Sequence, residues 1–237
     1  LMQALDEKSA RLNKLENYEE YLRKLEQVLS EKKKCVLSLC AEISEKRKAA
    51  ADKLSEKLTL ALIDLNFLDV DFTISVLPDE ENFTGDGYDN ITFMISTNPG
   101  EAKKPLQQVA SGGELSRIML AFKSVFADEE GTDTLIFDEI DTGISGRTAW
   151  KVSEKLGQLS AEHQIICITH LPQIAAMADT HFLIEKQVAN ERTVTQIHKM
   201  NGEESLYELA RLLGSGSVTE AVLNNAKEMK ETADKVK

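Results

Sequence analysis

Two adjacent acids, Asp138 and Glu139, stand directly after a short apolar run at residues 135–137. In open α/β sheets, ligands bind beyond the carboxyl ends of the strands, and this pattern predicts that Asp138 lies at such an end. A carboxylate there can hold the hydration shell of Mg²⁺, which prefers oxygen ligands and keeps several waters. Glu139 points elsewhere and is predicted to accept a proton from an attacking water. The alternative is a pair of solvated loop acids, which the apolar run before them disfavours.

A second candidate site is Ser111-Gly112-Gly113-Glu114, which stands immediately before a helical pattern. Two glycines allow backbone N–H groups to approach an anion closely, and the helix that follows offers its positive end. The Ser111 hydroxyl would add a hydrogen bond to a phosphate oxygen. The alternative is a capping box, with Ser111 as the N-cap and Glu114 three residues later. Taken alone, the motif favours the cap.

His170 follows another apolar run, residues 164–169, and is therefore predicted at the same sheet edge as Asp138. An imidazole there would contact a terminal phosphate or the attacking water. A lone histidine is more often structural, but its placement beside the acids favours function. Metal-ligand spacing is absent from the remaining histidines, which are His163, His181 and His198.

The triplet Asp141-Thr142-Gly143 also occurs in aspartic proteases, where two carboxylates share one proton. The chain has one such triplet, and Glu139 would add further negative charge beside it. The protease interpretation, like that of a metal-dependent hydrolase, therefore ranks low.

Composition limits the class of protein. The chain has 237 residues, 42% of them apolar, and a net charge of -12, which lacks the basic footprint of nucleic-acid binding. The short basic runs at 32–34 and 46–48 are interpreted as solvated helix surface. Three cysteines without a C-x-x-C pair indicate a reducing compartment, and a cytoplasmic location is expected. Neither a signal peptide nor a membrane span is predicted. A start at Leu1 rather than Met suggests a fragment or a processed chain.

The pattern of elements predicts a helical arm followed by an α/β domain. Residues 1–65 contain neither Gly nor Pro, and their apolar residues recur at steps of three and four, which predicts a long helix that needs a partner helix. Strands are expected at 70–77 and 91–96, and helices alternate with strands from Ser111 onward. The strands at 134–137 and 164–169 are expected to be buried. The last helix is expected to begin near a capping box at 217–220. The predicted boundary separates a coiled-coil arm, 1–66, from the lobe at 67–237.

These residues together resemble the C-terminal half of an ABC-type P-loop ATPase head. Ser111 to Glu114 resembles the signature motif, 135–139 the Walker B strand with its catalytic glutamate, Asp141 the D-loop acid and His170 the switch histidine. A long helix that runs into such a half-head is similar to the SMC-like branch of the family. The resemblance covers about residues 15–230. The residue sequences of the motifs within 98–186 resemble those of bacterial DNA-repair members of that branch. Examples are VASGGELSRIML, FDEIDTG and ITHLPQIAAMAD.

The resemblance implies ATP hydrolysis between two paired heads, in the service of recombinational repair of DNA double-strand breaks. It implies catalytic roles for Glu139 and His170 and a water-mediated Mg²⁺ contact for Asp138. It also implies nucleotide-binding roles for the residues Ser111, Gly112, Gly113, Glu114 and Asp141. The expected partners are an N-terminal Walker A lobe of the same protein, a second copy of the head, and DNA in the nucleoid.

The phosphate-gripping pattern G-x-x-x-x-G-K-[ST] does not occur in the sequence. Within the resemblance, that loop belongs to the N-terminal lobe, and this chain alone is expected to be inactive toward ATP. The alternative function is a coiled-coil scaffolding or interaction module with a catalytically incomplete head.

Overall fold

The N-terminal region of the protein is helical. The computed structural model describes residues 2–109, 112–189, 192–214 and 217–236. Helix α1 runs over Met2–Glu16 and helix α2 over Tyr18–Asp64. The Asn17 amide donates to the Asn13 carbonyl and the Tyr21 amide to the Asn17 carbonyl, so helical hydrogen bonding continues across Asn17. The first residues therefore extend the same helix. Much of its apolar seam is exposed, including the side chains of Leu22, Leu25, Val28, Leu29, Leu39 and Ile43.

An antiparallel sheet follows the long helix. Its strands are β1 (Asp71–Pro78), β2 (Asp89–Ser96) and the short β3 (Lys104–Pro105), in the order β1-β2-β3. A 3₁₀ turn at Leu106–Gln108 leads toward helix α3 (Gly112–Glu130). The rings of Phe72, Phe93 and Phe122 lie 5.7–6.2 Å apart between centroids and tie α3 to the sheet through tilted and edge-to-face packing.

A parallel β-α-β unit carries the predicted acids. Strand β4 (Thr134–Phe137), helix α4 (Gly146–Leu159) and strand β5 (Gln164–Cys167) are followed by the short helix α5 (Pro172–Ala176). The register of the parallel pair sets Phe137 opposite Cys167. The expectation that both strands are buried holds only for one face of β4, and it is wrong for β5, whose residues are exposed or half-buried. Leu135 and Phe137 are buried, but Ile136 is 69% exposed and its cross-strand partner Ile166 is 45% exposed. One face of this pair is therefore apolar and open.

The C-terminal part consists of an antiparallel hairpin and two helices. Strands β6 (Phe182–Ala189) and β7 (Arg192–Lys199) pair with each other, and helices α6 (Gly202–Leu213) and α7 (Glu220–Val236) follow. A small core joins α5, α6 and α7 through Ala175, Ala176, Met177, Leu209, Ala210, Ala226 and Ala233.

The predicted capping box at residues 217–220 is wrong. Helix α7 begins at Glu220, and the Thr219 hydroxyl accepts a hydrogen bond from the Val222 amide at 3.4 Å, which makes Thr219 the cap. A complete capping box stands instead at α6. The Asn201 side chain accepts from the amides of Glu203 and Glu204, and the Glu204 carboxylate accepts from the Asn201 amide.

The chain divides into two compact units. One comprises residues 1–53 and 74–92, and the other comprises 54–73 and 93–237. The predicted boundary at 66/67 stays a prediction. Within the described ranges, the helices lack a segment apolar and long enough to cross a bilayer.

Candidate functional site

The carboxyl ends of β4 and β5 meet at one edge of the parallel pair. Asp138 and Glu139 follow β4, and Thr169 and His170 follow β5. The pairing extends one step past the strands, because the Ile168 amide donates to the Phe137 carbonyl at 3.0 Å. The local reason is that parallel strands in register end together. The structure thus places the two acids and the histidine on segments that leave the same edge.

Asp141 is the hydrogen-bonding centre of this edge. Its side chain is only 5% exposed, and its Oδ2 atom accepts from the Thr169 hydroxyl at 2.6 Å. The same oxygen accepts from the His170 amide at 2.8 Å and lies 2.9 Å from His170 Nδ1. A single buried carboxylate therefore joins the loop after β4 to the loop after β5. Its predicted role was nucleotide binding, and that stays a prediction, but Oδ2 is occupied by groups of its own chain.

One ring nitrogen of His170 is held by Asp141, and the rest of the ring is exposed to solvent. A carboxylate only accepts hydrogen bonds, so the contact with Asp141 requires the proton on Nδ1 of His170. The His170 side chain is 72% exposed, so Nε2 is the ring nitrogen left to meet a ligand. The buried acid thereby sets both the orientation and the tautomer of the ring.

Glu139 has an unusual backbone conformation. Its φ angle is +56°, in the left-handed region that non-glycine residues rarely adopt. The Glu139 amide donates to the Asp138 side chain at 2.9 Å, and the Thr142 amide donates to the Glu139 carbonyl at 3.1 Å. Conformations of this kind cost about 1–3 kcal/mol and persist where surrounding contacts impose them. Both Asp138 and Glu139 are exposed.

The start of α3 reaches the acidic loop. A Cβ atom added to Gly112 would lie 3.6 Å from Glu139 Oε2, and one added to Gly113 would collide with the Thr142 carbonyl oxygen. Ser116 Oγ lies 3.5 Å from the Asp138 carbonyl oxygen. Gly113 therefore allows the helix to pack against the loop that carries the acids, whereas a side chain at Gly112 would make an ordinary van der Waals contact.

The first and last residues of this motif are Ser111 and Glu114. Ser111 lies outside the described residues, so the choice between a phosphate ligand and an N-cap stays open. Glu114 is half-buried in the first turn of α3, and its charge acts on Arg117. Burial lowers the pKa of Arg117, and Glu114 opposes that shift.

Thr169 at this edge and Arg117 on α3 were missed by the sequence analysis. Thr169 bonds Asp141, but its only sequence signal is a polar residue at the end of an apolar run. Arg117 lies with its guanidinium carbon 4.4 Å from the centre of the Phe67 ring, a cation–π contact that its sequence position does not indicate.

The cysteine at this edge has a raised pKa. Burial, followed by the nearby charges of Asp141 and Asp138, raises the pKa of Cys167 to about 12. Its thiol therefore stays neutral at physiological pH, whereas reactive cysteines have lowered pKa values.

Asp138 is the candidate metal contact at this site. In the described part of the chain, His, Cys, Asp and Glu side chains do not form a group of three or more that is arranged to hold a metal. An exposed carboxylate such as Asp138 suits Mg²⁺, which usually takes one or two carboxylates and completes its shell with waters and phosphates.

The chain is similar in sequence to known DNA repair proteins. The chain is 38% identical over 240 residues to DNA repair protein RecN of Bacillus subtilis. The alignment covers 95% of the chain and 42% of that protein. It is 41% identical over 229 residues to DNA repair protein RecN of Rickettsia conorii, covering 97% of the chain and 41% of that protein. The chain therefore spans about two fifths of the length of the curated relatives it matches. Protein-family models give no match to the chain.

The fold has a counterpart among solved structures. A crystal structure of the Smc head domain with a coiled coil and joint, from Pyrococcus yayanosii, aligns with 90% of the present chain. The alignment covers 37% of the Smc chain. The TM-score is 0.50 and the identity 21%. The predicted α/β head fold with a long N-terminal helix is confirmed. Together, the sequence relationship and this fold identify the chain as a homologue of a segment of DNA repair protein RecN.

Proposed function

We propose that the chain supplies the signature, Walker B, D-loop and switch residues of an SMC-like ATPase that acts in recombinational repair of DNA double-strand breaks. The observation that carries the proposal is the buried Asp141 carboxylate, which holds His170 at the edge where Asp138 and Glu139 emerge. The relatives named above are DNA repair proteins, which supports the biological role.

The residues divide the chemistry among them. Mg²⁺, when bound, would neutralise charge on the phosphates, and Asp138 would hold its water shell. Glu139, exposed beside Asp138, would orient the attacking water and take its proton. His170 would contact the terminal phosphate through Nε2, because Nδ1 is committed to Asp141. Rate enhancement would come from positioning and charge stabilisation rather than from a covalent intermediate.

The open face of the β4–β5 pair supports a second lobe. Parallel sheets are normally covered on both faces, yet Ile136, Ile166 and Ile168 are between 45% and 69% exposed. The relatives are more than twice as long as the aligned segment, so chain outside this segment is available to cover them. An N-terminal lobe that carries the phosphate-binding loop is the proposed cover. Residues 1–66 would form one arm of a coiled coil, and 67–237 the C-terminal lobe.

A second head would complete the active site. Ser111, Gly112 and Gly113 would bind the nucleotide held by the opposite head, as the resemblance to paired ATPase heads implies. DNA would bind to the complete protein, in the cytoplasm and on the nucleoid. The acidic net charge of this segment indicates that basic DNA-contacting surface lies largely elsewhere.

The decisive experiment uses the full-length protein with Glu139→Gln. This change keeps the size of the side chain and removes the base, so ATP-driven head pairing is expected to persist. ATP turnover should fall by a factor of about 10²–10⁴. Glu162→Gln, an exposed glutamate in the turn before β5, is the matched control and should retain turnover. Wild-type turnover in Glu139→Gln would remove Glu139 from its role. Absence of turnover in the wild-type protein would favour the scaffolding alternative.

A further inference from the structure

Thr169 stands between the two loops that form the site. Its hydroxyl donates to Asp141 Oδ2 at 2.6 Å and accepts from the Leu171 amide at 3.0 Å. We propose that Thr169 is a positioning residue for ATP hydrolysis, whose hydroxyl fixes the Asp141 carboxylate and thereby the His170 ring. The inference rests on the proposed function, since it assigns Thr169 an effect through His170.

The Thr169 hydroxyl donates one hydrogen bond and accepts another at the same time. Among side chains of this size, only serine and threonine offer both from one oxygen atom. Asp141 is buried, so a donor lost from its carboxylate is not readily replaced by water. The Leu171 amide, which precedes the first turn of α5, would lose its acceptor as well. One hydroxyl therefore fixes the acid on one side and the start of α5 on the other.

Thr169 and His170 contact the same oxygen atom of Asp141, so a change at Thr169 affects His170. Asp141 Oδ2 meets three donors, the Thr169 hydroxyl, the His170 amide and His170 Nδ1. Removal of the shortest of these contacts frees the carboxylate to rotate away from the imidazole. The largely exposed ring is held by its contact with Asp141, so it would lose its fixed orientation. A displacement of about 1 Å in a reacting group lowers rates by about 10²-fold.

The test is a set of variants in the full-length protein, assayed for Mg²⁺-dependent ATP turnover over a range of ATP concentrations. Thr169→Val keeps the shape and removes the hydroxyl, and its kcat is expected to fall by about 10- to 100-fold while KM changes by less than about 3-fold. Thr169→Ser keeps the hydroxyl and is expected to retain kcat within about 3-fold. A role limited to packing would favour valine over serine, so the order of the two variants separates the explanations.

A double-mutant cycle tests whether Thr169 acts through His170. In a His170→Ala background, Thr169→Val is expected to lower turnover by less than about 2-fold further, because the group it positions is gone. Full additivity of the two losses would overturn the inference, as would wild-type kcat in Thr169→Val or equal losses in the valine and serine variants.

Failure of the proposed function has a different signature, namely wild-type turnover in His170→Ala itself. Should Thr169→Val fail to fold, Thr169→Cys serves as the second variant, because its thiol has a similar size but donates weakly. Its kcat is expected to lie between those of the valine and serine variants, and wild-type turnover in it would contradict the inference.

Discussion

Replacement of Gly113 by alanine tests the packing of α3 against the acidic loop. A methyl group at this position would overlap the Thr142 carbonyl oxygen and lie 3.1 Å from the Thr142 carbonyl carbon. The obstacle is backbone, so the loop itself has to move. Overpacking of this kind costs about 1–3 kcal/mol. Alanine regains about 0.5–1 kcal/mol over glycine within a helix, so we expect a net loss of up to about 2.5 kcal/mol in the free energy of unfolding, and of about 1.2 kcal/mol at mid-range.

The neighbouring Gly112 is the matched control. Alanine there would meet only Glu139 Oε2 at 3.6 Å, which is an ordinary van der Waals contact. Without overlap, the change in stability is expected to lie between zero and a gain of about 1 kcal/mol, since glycine is the poorer helix former. The two variants differ by one position in the same helical turn, so helix propensity alone predicts that they behave alike.

Urea unfolding of the 237-residue chain provides the assay. The single tryptophan, Trp150, lies in α4, which contacts α3, and its emission reports on that unit. With a denaturant slope of about 2 kcal/mol/M, the unfolding midpoint of Gly113→Ala should fall by about 0.6 M at the mid-range loss and by at most about 1.2 M. A Gly113→Ala variant as stable as Gly112→Ala would refute the reasoning, because the Thr142 carbonyl would then not oppose a side chain at 113.

Three further outcomes are expected. Arg47→Met should lower stability by about 2 kcal/mol, because Arg47 pairs with the fully buried side chain of Asp89 at 2.9 Å. Burial opposes ionisation of Asp89, but the polar side chains of Ser44 and Arg47 outweigh burial and lower its pKa. The contribution of this pair should therefore be complete above about pH 4 and be lost as the pH falls through the lowered pKa, which unfolding midpoints of both proteins at several pH values would reveal. Burial also lowers the pKa of His181, against the opposing charge of Glu208, so its neutral form favours the folded state. Stability should fall as the pH drops below about 6.5, and His181→Gln should flatten that dependence in the same titration. Finally, the isolated 237-residue chain should hydrolyse ATP negligibly in a phosphate-release assay, and rapid turnover by it would contradict the need for a second lobe.

The relation of the acids to the histidine could be predicted because it follows from topology. Two apolar runs that each end in a polar residue, with a helix between them, form parallel strands whose carboxyl ends meet. This topology places Asp138 and His170 at one edge without any side-chain detail. The choice of Asp141 as the centre depends on rotamers and on burial of one loop side chain, for which the sequence has no periodic signal.

The backbone of Glu139, the cap of α7 and the exposure of Ile136 could not be predicted from the sequence pattern either. Glu139 adopts a left-handed backbone conformation that is imposed by its surroundings, and its residue type gives no indication of it. The S-x-x-E pattern at 217–220 has the correct spacing for a cap, but Thr219 competes for the same role and prevails. Ile136 was expected to be buried because a parallel strand normally is, whereas its side chain is 69% exposed.

The central claim is that each ATP site is shared between two heads, with Glu139 in one head and the signature serine in the other. Mixing two inactive full-length variants, Ser111→Arg and Glu139→Gln, tests it most directly. In a mixed dimer one site carries both lesions and the other carries neither. Random pairing should therefore restore about a quarter of wild-type ATP turnover. Turnover that stays at the level of the separate variants, in mixtures shown to contain mixed dimers, would contradict the shared site.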